Sequence, residues 1–502
     1  MRFTAVAAGC IAAALAFTPV ADTQAASTKP LTLATGAMTA GRINPYDSIS
    51  ITRAWLFAAL YDTLTYVDSD GKLISWLATA WQPASPTEWL FDLRRDVVFS
   101  NGAPFTAADV VRAVEYLIGP DGRTEPAAPF AANIKSATAI DAHKVKITTL
   151  NPDPTLPQRL SLIRIATLPE GMPFTRENLI NSAIGTGPYT VETWALNKAT
   201  FVAAPQSWRK APTPALHAIA LPDAAARKSA VMTGAVDVAF AAFDFAESDL
   251  PTGGKYVLAD DHIPAVVGLA FNTTKDTPFQ DIRVRQAIIG AVNVKAIVSA
   301  LFSGRATLAQ QPARHEFLGF NPDVPATVYD PEKSKRLLND AGLAKGFTFS
   351  LAMTQGGTIW GQVFQMVASD LNKIGVTMKI EALPDPVMAG MIYNTGVKAD
   401  AMAAVFFSPS FDALDAVRQH TCSWTVAWFC DPEAEKLRES AVAAKTLDAR
   451  IDLTKQLMAR MHENAQALFM YESLNLVSYS SRIKNFRSDF GFLRYDLMQV
   501  ED

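Results

Sequence analysis

The spacing of apolar and polar positions along the chain alternates between the period of strands and the period of helices. Short apolar runs at 347–353 and 376–381 predict strands, and the amphipathic stretch 359–374 between them predicts a helix that Gly375 ends. This strand–helix–strand order is typical of βαβ units. The pattern therefore predicts an α/β protein with a mostly parallel sheet.

Helices are also predicted outside this unit. Thr106 and Asp109 have the spacing of a capping box, which predicts that a helix begins just before the apolar stretch 110–117. The amphipathic pattern over 281–301 predicts one long helix, and 433–467 reads as a helical region.

The composition narrows the class of protein. The chain has 502 residues, of which 49% are hydrophobic, with 28 Phe, 9 Trp and 11 Tyr and a formal net charge of −4. So many aromatic and aliphatic side chains can fill real cores, which excludes a disordered chain, and the charge excludes a strongly basic nucleic-acid binder. The length predicts two or three domains.

The first 26 residues have the pattern of a secretory signal peptide. Arg2 supplies the positive start, 5–17 is an apolar run too short to cross a bilayer, and small residues precede the expected cleavage after Ala25 or Ala26. A transmembrane anchor and a lipoprotein signal at Cys10 are weaker alternatives. We expect an exported, soluble protein.

Two cysteines, Cys422 and Cys430, remain after that cleavage. An even count in an oxidising compartment favours a disulfide between them. The alternatives are two buried thiols or a metal site, for which His420 is the nearby nitrogen ligand.

Motifs of catalysis and cofactor binding are absent from the sequence. It contains no GxSxG, HExxH, P-loop or GxGxxG pattern, and its histidines are scattered without ligand spacing. The sequence therefore predicts no catalytic residues, no cofactor, no metal and no enzymatic activity. The six histidines are His143, His217, His262, His315, His420 and His462.

Several segments together resemble the signature of one family, the extracellular solute-binding proteins, family 5, which serve peptide/nickel-type ABC importers. The blocks occur in the order of that family and are spread over most of the chain after the signal peptide. They are LATAW (77–81), FSNGAPFTAADV (99–110), GTGPY (185–189), TGAVDV (233–238), FNT (271–273), DIRVRQA (281–287) and YDPEK (329–333).

The resemblance implies a two-lobed periplasmic binding protein fold of cluster C type, α/β in class, with an extra subdomain inserted in the first lobe. It places the first lobe in three pieces, with the second lobe between the last two. The expected boundaries are 1–26 for the signal peptide, 27–50, 185–263 and 475–502 for the first lobe, 51–184 for the inserted subdomain and 264–474 for the second lobe.

The same resemblance implies a periplasmic, monomeric substrate-binding component of an ABC importer. It would close around a peptide or related small organic solute and deliver it to permease subunits served by a separate ATPase, without any nucleic-acid partner. The alternatives are a nickel or metallophore binder of the same family, a secreted hydrolase, and a periplasmic chaperone or sensor.

Ligands of open α/β sheets bind beyond the carboxyl ends of the strands, which selects candidate residues in the loops there. Trp424 and Trp428 are added because they lie near the predicted disulfide loop and could form a wall. Core packing is the alternative for each aromatic candidate. The candidates are Met38, Arg42, Phe243, Asp244, Trp360, Phe406, Phe407, Ser408, Phe411, Asp412, Trp424 and Trp428.

Asp412 is the sharpest of these candidates. The resemblance implies that an aspartate near this position pairs with the amino group of a ligand; alternatively, Asp412 caps the helix that follows. Dipeptide-binding members have an arginine in the loop after the strand 347–353, and the loop 354–358 here has none. This argues against free dipeptides and leaves longer peptides, amidated or cyclic compounds, opine-like or sugar-containing solutes, or a metal chelate.

Overall fold

The structure is a computed structural model that describes residues 27–38, 42–47, 51–240, 255–355 and 358–502. The predicted signal peptide and the candidates Phe243 and Asp244 lie outside the described residues. The strands of the described part are β1 (Leu31–Thr35), β2 (Asp62–Thr63), β3 (Thr65–Val67), β4 (Leu73–Ser75), β5 (Ala78–Ser85), β6 (Glu88–Leu93), β7 (Ile134–Asp141), β8 (Lys144–Thr149), β9 (Arg164–Ile165), β10 (Tyr189–Trp194), β11 (Lys198–Ala203), β12 (Ala215–Ala220), β13 (Val238–Ala239), β14 (Tyr256–Phe271), β15 (Phe347–Thr354), β16 (Val376–Leu383), β17 (Ala401–Phe407), β18 (Ala467–Ser480), β19 (Ile483–Lys484), β20 (Ser488–Asp489), β21 (Phe492–Leu493) and β22 (Gln499–Val500).

The α-helices of the same residues follow in chain order. They are α1 (Ile51–Leu60), α2 (Ala107–Ile118), α3 (Ala128–Ala131), α4 (Leu156–Arg159), α5 (Arg176–Ser182), α6 (Ala224–Met232), α7 (Ile282–Ala291), α8 (Val294–Phe302), α9 (Pro331–Asp340), α10 (Thr358–Asn372), α11 (Asp385–Gly390), α12 (Ala413–Ala416), α13 (Pro432–Val442) and α14 (Leu447–Glu463).

One large sheet organises the described residues. Its ten strands run in the order β10-β11-β12-β1-β13-β18-β14-β17-β15-β16. The strands β10 to β13 and β1 form one half, which we call the first half, and β15 to β17 form the second half. The two long strands β14 and β18 lie in the middle and belong to both halves.

The paired strands β14 and β18 connect the two halves of the sheet. The two strands are antiparallel, and their register shifts between His262 and Val266, on either side of Pro264. Beyond that bulge, β14 pairs with β17 on its other edge through Ala265–Phe271. Because a bulge bends a strand and increases its local twist, this point helps to set the angle at which the two halves meet.

Each half of the sheet has its own core. In the first half, Leu33, Trp55 of α1 and Leu216 are buried together with Tyr495 near the C-terminus. In the second half, Leu269 of β14 is buried with residues of β15 and α10 such as Leu351 and Phe364.

A separate antiparallel sheet of four strands, in the order β5-β6-β8-β7, lies within 78–149. Phe91 and Ile147 from this sheet are buried against Val110 and Leu117 of α2. Helix α2 begins where the capping pattern predicts, since the Thr106 backbone N–H donates to Asp109 Oδ2 at 2.9 Å. The domain boundaries given above stay predictions; α1, although within 51–184, packs on the core of the first half.

Two predictions about the fold are wrong. The large sheet is mixed, with four parallel and five antiparallel pairings, because β14, β18 and the meander β10–β12 run antiparallel to their neighbours. The long helix predicted over 281–301 is divided into α7 and α8, because Asn293 caps α8 by accepting from Ala296 N.

The helical region predicted over 433–467 consists of α13 and α14, and its last residue already belongs to β18. No single helix among the described residues is long and apolar enough to cross a membrane. The bent pair α7 and α8 meets that criterion only when the two are taken together, by length and composition.

The close contact of β14 with β18 can be tested at Gly268. A Cβ atom at this position would lie 2.5 Å from the Leu468 carbonyl oxygen, so we expect Gly268→Ala to lower the free energy of unfolding by roughly 1–3 kcal/mol. Gly361 of α10 is the matched control, because a Cβ atom there meets nothing within 4 Å. Gly361→Ala should raise the free energy of unfolding by about 0.5–1 kcal/mol. Urea unfolding measures the stability of both variants. An equal effect of the two substitutions would contradict the close contact.

Candidate ligand-binding site

A cavity of about 340 Å³ lies between the N-terminal part of the chain and the second half of the large sheet. Pro126, Pro129 and Phe130, at and before α3, form one side. The other side consists of residues of β17, the last residue of β15 and residues that follow β15, β16 and β17. Its apolar members are Trp360, Met388, Ile392, Tyr393, Met402, Ala403, Val405, Phe407, Pro409 and Ala416, and its polar members are Thr354, Asp415, Arg418, Gln419 and His420.

Other cavities are lined by different parts of the chain. A larger cavity of about 480 Å³ is lined only by residues of 286–337 and 462–469, all in the second half. A small cavity of about 90 Å³ shares Pro409 with the candidate site and extends towards Pro264 at the bulge of β14. A change in the angle between the halves would therefore open or close the 340 Å³ cavity and leave the 480 Å³ cavity unaffected.

The loop after β17 positions the polar side of the cavity. The Ser408 N–H donates to the Pro264 carbonyl at 2.9 Å, which ties the loop to the bulge of β14. The backbones of Phe411 and Ala413 pair with Leu318 on the neighbouring segment. The loop is thus held at both ends before α12 begins.

Asp412 and Asp415 have opposite roles in this loop. Asp412 is buried, accepts from Leu414 N at 2.9 Å as the cap of α12, and pairs with Arg450 Nη2 at 2.6 Å. Asp415 lies one turn later, lines the cavity and accepts a hydrogen bond from Ser410 Oγ. Asp412 is absent from the lining of the cavity, so Asp415 is the carboxylate that a ligand in it would meet.

The surroundings of Asp415 oppose its negative charge. Burial raises the pKa of its carboxyl, and the charge of Asp412 raises it further. Arg450 and Arg159 act in the opposite direction. A cation from a ligand would relieve this penalty, because an opposite charge at short distance favours the ionised carboxylate.

His420 presents a neutral imidazole to the same cavity. Its ring is stacked on Phe406 with centroids 4.2 Å apart, and Trp428 packs edge-on at 5.2 Å. Burial lowers the pKa of His420 to about 3. Within the described part of the chain its ring nitrogens have no hydrogen-bond partner, although a neutral imidazole offers one donor and one acceptor.

The predicted disulfide between Cys422 and Cys430 is present. The loop that it closes carries Trp424 and Trp428. The Trp424 indole N–H donates to the Ile392 carbonyl at 2.7 Å, and the indole of Trp428 is almost fully buried behind His420.

Comparison with known proteins agrees with this architecture. The model of the bacterial extracellular solute-binding proteins, family 5 Middle, matches residues 72–418. The chain belongs to this family. Family 5 proteins are solute-binding components of ABC importers, and they are binding proteins rather than enzymes.

Individual relatives resemble the chain over most of its length. Heme-binding protein A of Haemophilus influenzae is 26% identical over 459 residues, which cover 83% of this chain and 82% of that protein. The glutathione-binding protein GsiB of Pectobacterium atrosepticum is 26% identical over 498 residues, covering 95% and 94%. The crystal structure of a putative peptide binding protein AppA from Clostridium difficile has a TM-score of 0.82 at 16% identity, covering 94% of this chain and 100% of that one. These neighbours are two-lobed periplasmic binding proteins with a large mixed sheet, and the two lobes and the α/β class are what the family resemblance implies.

Eight of the twelve predicted site residues of this family 5 protein lie in or around the cavity and fall into three groups. Trp360 and Phe407 line the cavity. Phe406 and Trp428 stand behind His420, and Trp424 stands behind Ile392. Ser408, Phe411 and Asp412 are buried in the loop that positions α12.

Met38 and Arg42 lie elsewhere. Met38 is buried in the core of the first half. Arg42 Nη1 donates to Asn181 Oδ1 at 2.9 Å and lines a different cavity, of about 320 Å³. The 340 Å³ cavity therefore does not include these two predicted residues.

The sequence reasoning missed most of the polar lining of the family 5 cavity. Asp415 could have been found, since it follows Asp412 by three residues on one short helix. Met388, Ile392 and Tyr393 gave no comparable signal, because their segment has neither strand nor helix periodicity of useful length.

The different roles of Asp412 and Asp415 predict opposite effects on stability. Asp415→Asn removes a carboxyl whose raised pKa makes the ligand-free protein less stable as the pH rises through that pKa. We expect a higher thermal midpoint than the wild type at pH 7 and a smaller difference towards pH 4. Asp412→Asn leaves buried Arg450 without its partner and should lower stability by roughly 3 kcal/mol. Differential scanning calorimetry of both variants checks this, and a loss of stability in Asp415→Asn at pH 7 would contradict it.

Proposed function

We propose that the protein captures a small organic solute with an amino group, such as a peptide or a related compound, in the 340 Å³ cavity. It then delivers this solute to the permease of an ABC importer, whose separate ATPase supplies the energy. It acts by binding, as a monomer in the periplasm, after removal of residues 1–26.

One observation carries the proposed ligand class: a half-buried carboxylate, Asp415, lines a cavity with walls from both parts of the molecule. A buried charge without a full partner is costly, and a ligand ammonium group supplies that partner. The volume of the cavity lies near the lower end of the roughly 300–1,000 Å³ of ligand pockets, so it suits a compact solute.

Closure follows from the arrangement of the walls. Phe130 faces the cavity from α3, while Trp360 and Phe407 face it from the second half. A ligand that contacts both sides has more favourable contacts in the closed form than in the open form. Its binding free energy therefore shifts the equilibrium towards closure, and the permease recognises the closed surface.

Arg418 is a candidate partner for a carboxylate on the ligand. It lies outside the loop after β15, where dipeptide-binding members have their arginine. Arg418 lines the cavity one helical turn after Asp415 and is exposed. An exposed guanidinium at the rim attracts an anionic group without a fixed clamp, so ligands with and without a carboxylate remain compatible with the site.

A metal chelate is the second candidate ligand, and His420 is the observation that favours it. A neutral imidazole without a protein partner is a suitable metal ligand, and it lines the same cavity. The relative named as heme-binding protein A shows that ligands of the family extend beyond peptides.

Two probes that differ only in their amino group test whether the site requires a ligand with a free amino group. We expect trialanine amide to bind in isothermal titration calorimetry and its N-acetyl form to bind at least 30-fold more weakly, since burying an unpaired charge costs about 2–5 kcal/mol. Asp415→Asn should lose the same preference, whereas Asp452→Asn, at an exposed carboxylate on α14 outside the cavity, should keep it.

Native mass spectrometry of the exported protein gives the independent test of the ligand class. A bound amine-containing solute that is released on unfolding supports the proposal. Equal binding of the free and acetylated probes contradicts amine recognition, and exclusive binding of nickel–histidine complexes would replace it by the second candidate.

A further inference from the structure

The loop between Cys422 and Cys430 does not line the cavity, yet it contacts two elements that do. Its Trp424 indole N–H donates to the Ile392 carbonyl at 2.7 Å, and its indole ring packs on Tyr393 with centroids 5.7 Å apart. Its Trp428 packs edge-on against His420 at 5.2 Å. Ile392, Tyr393 and His420 all line the cavity.

Ile392 and Tyr393 belong to an irregular part of the chain. We call residues 385–395 the wall segment; it consists of α11 and the π-helical turn Met391–Thr395. A π turn is less regular than an α-helix and is common at functional sites. Tyr393 is about half exposed, and its hydroxyl accepts from Gln419 Nε2 at 2.8 Å. The wall segment therefore depends on outside contacts for its position.

The loop is itself fixed from several directions. The disulfide joins its ends, which are eight positions apart. Cys422 N and Ser423 Oγ donate to the Glu435 carboxylate of α13 at 3.1 and 2.8 Å. At the other end of the loop, the Trp428 carbonyl accepts from Thr273 N, just after β14, at 2.8 Å. Because the loop is short, cross-linked and anchored at both ends, it loses little further conformational entropy when it contacts the wall segment.

We propose that the disulfide-closed loop, acting through Trp424 and Trp428, is a positioning element of the ligand site. It holds the wall segment and the His420 ring in place, and it thereby sets the residence time of a ligand and the largest ligand that fits. This inference rests on the proposed function, because it assigns a role in binding to the walls of that cavity.

The position of the wall segment can be measured without any ligand. The double variant Cys422→Ser/Cys430→Ser opens the loop. Trp424→Phe keeps an aromatic ring at this position but removes the indole N–H donor. We expect amide hydrogen exchange within 391–395 to become at least 10-fold faster in both variants of the exported protein. Trp89→Phe is the matched control, since it also removes an indole N–H that donates to a backbone carbonyl, that of Asp153, but lies on β6.

Unchanged exchange in 391–395 in both variants would overturn the inference. Exchange in α14 separates this effect from general unfolding, because a local release of the wall segment leaves α14 protected. If the double variant fails to fold, Trp424→Phe alone decides.

Ligand binding gives the second readout, with trialanine amide and pentaalanine amide as probes in surface plasmon resonance. We expect the variants to release trialanine amide about 10-fold faster with an association rate within twofold of the wild type. The preference should shift towards pentaalanine amide. Unchanged dissociation and unchanged length preference would overturn the inference. If neither probe binds the wild type, the proposed ligand class fails, and the exchange measurement still decides the role of the loop.

Discussion

The antiparallel pairing of β14 with β18 is the constraint on which the rest of the structure depends. Both strands pass through the two halves of the sheet, so neither half can be completed without the other. The register shift between His262 and Val266 falls inside this pairing. Every residue of the second half that lines the cavity is therefore positioned relative to the bend that this bulge produces.

A network of ionic groups surrounds that bulge. Arg314 is almost fully buried and pairs with Glu316 and with Glu472 of β18. His315 Nδ1 lies 2.9 Å from Glu472 Oε2. The carboxylates of Glu316 and Glu472 thus both contact Arg314 and His315. His315, Glu316 and Glu472 have ligand atoms close enough to hold a metal ion, but the Arg314 guanidinium already supplies the positive charge between them. The cluster is best explained as a support of the crossing strands.

Local signals in the sequence predicted the local structure well. Thr106 and Asp109 marked the start of α2, and the runs around β15 and β16 gave strands at the expected places, because neighbouring residues determine caps and apolar runs. The resemblance to family 5 supplied the two-lobed fold, which no single segment encodes.

Predictions that depended on distant partners were less successful. β14 and β18 are far apart in sequence, so their antiparallel pairing, and with it the mixed sheet, leaves no trace in the spacing of either strand. The break at Asn293 depends on its own cap and on Asp370, which accepts from the Asn293 N–H. Likewise, the partner of Asp412 is Arg450, 38 positions later, and this contact separates a buried structural carboxylate from the one that lines the cavity.

The aromatic residues around the cavity have an optical consequence. Trp360 lines it, while Trp424 and Trp428 stand one residue behind its wall. Trp76, Trp89 and Trp208 belong to the core of the four-stranded sheet and its surroundings, and none of the three lines the cavity. We therefore expect the intrinsic fluorescence of the tryptophans at the cavity to change on ligand binding more than that of Trp76, Trp89 and Trp208, so that the unlabelled chain can report its own occupancy.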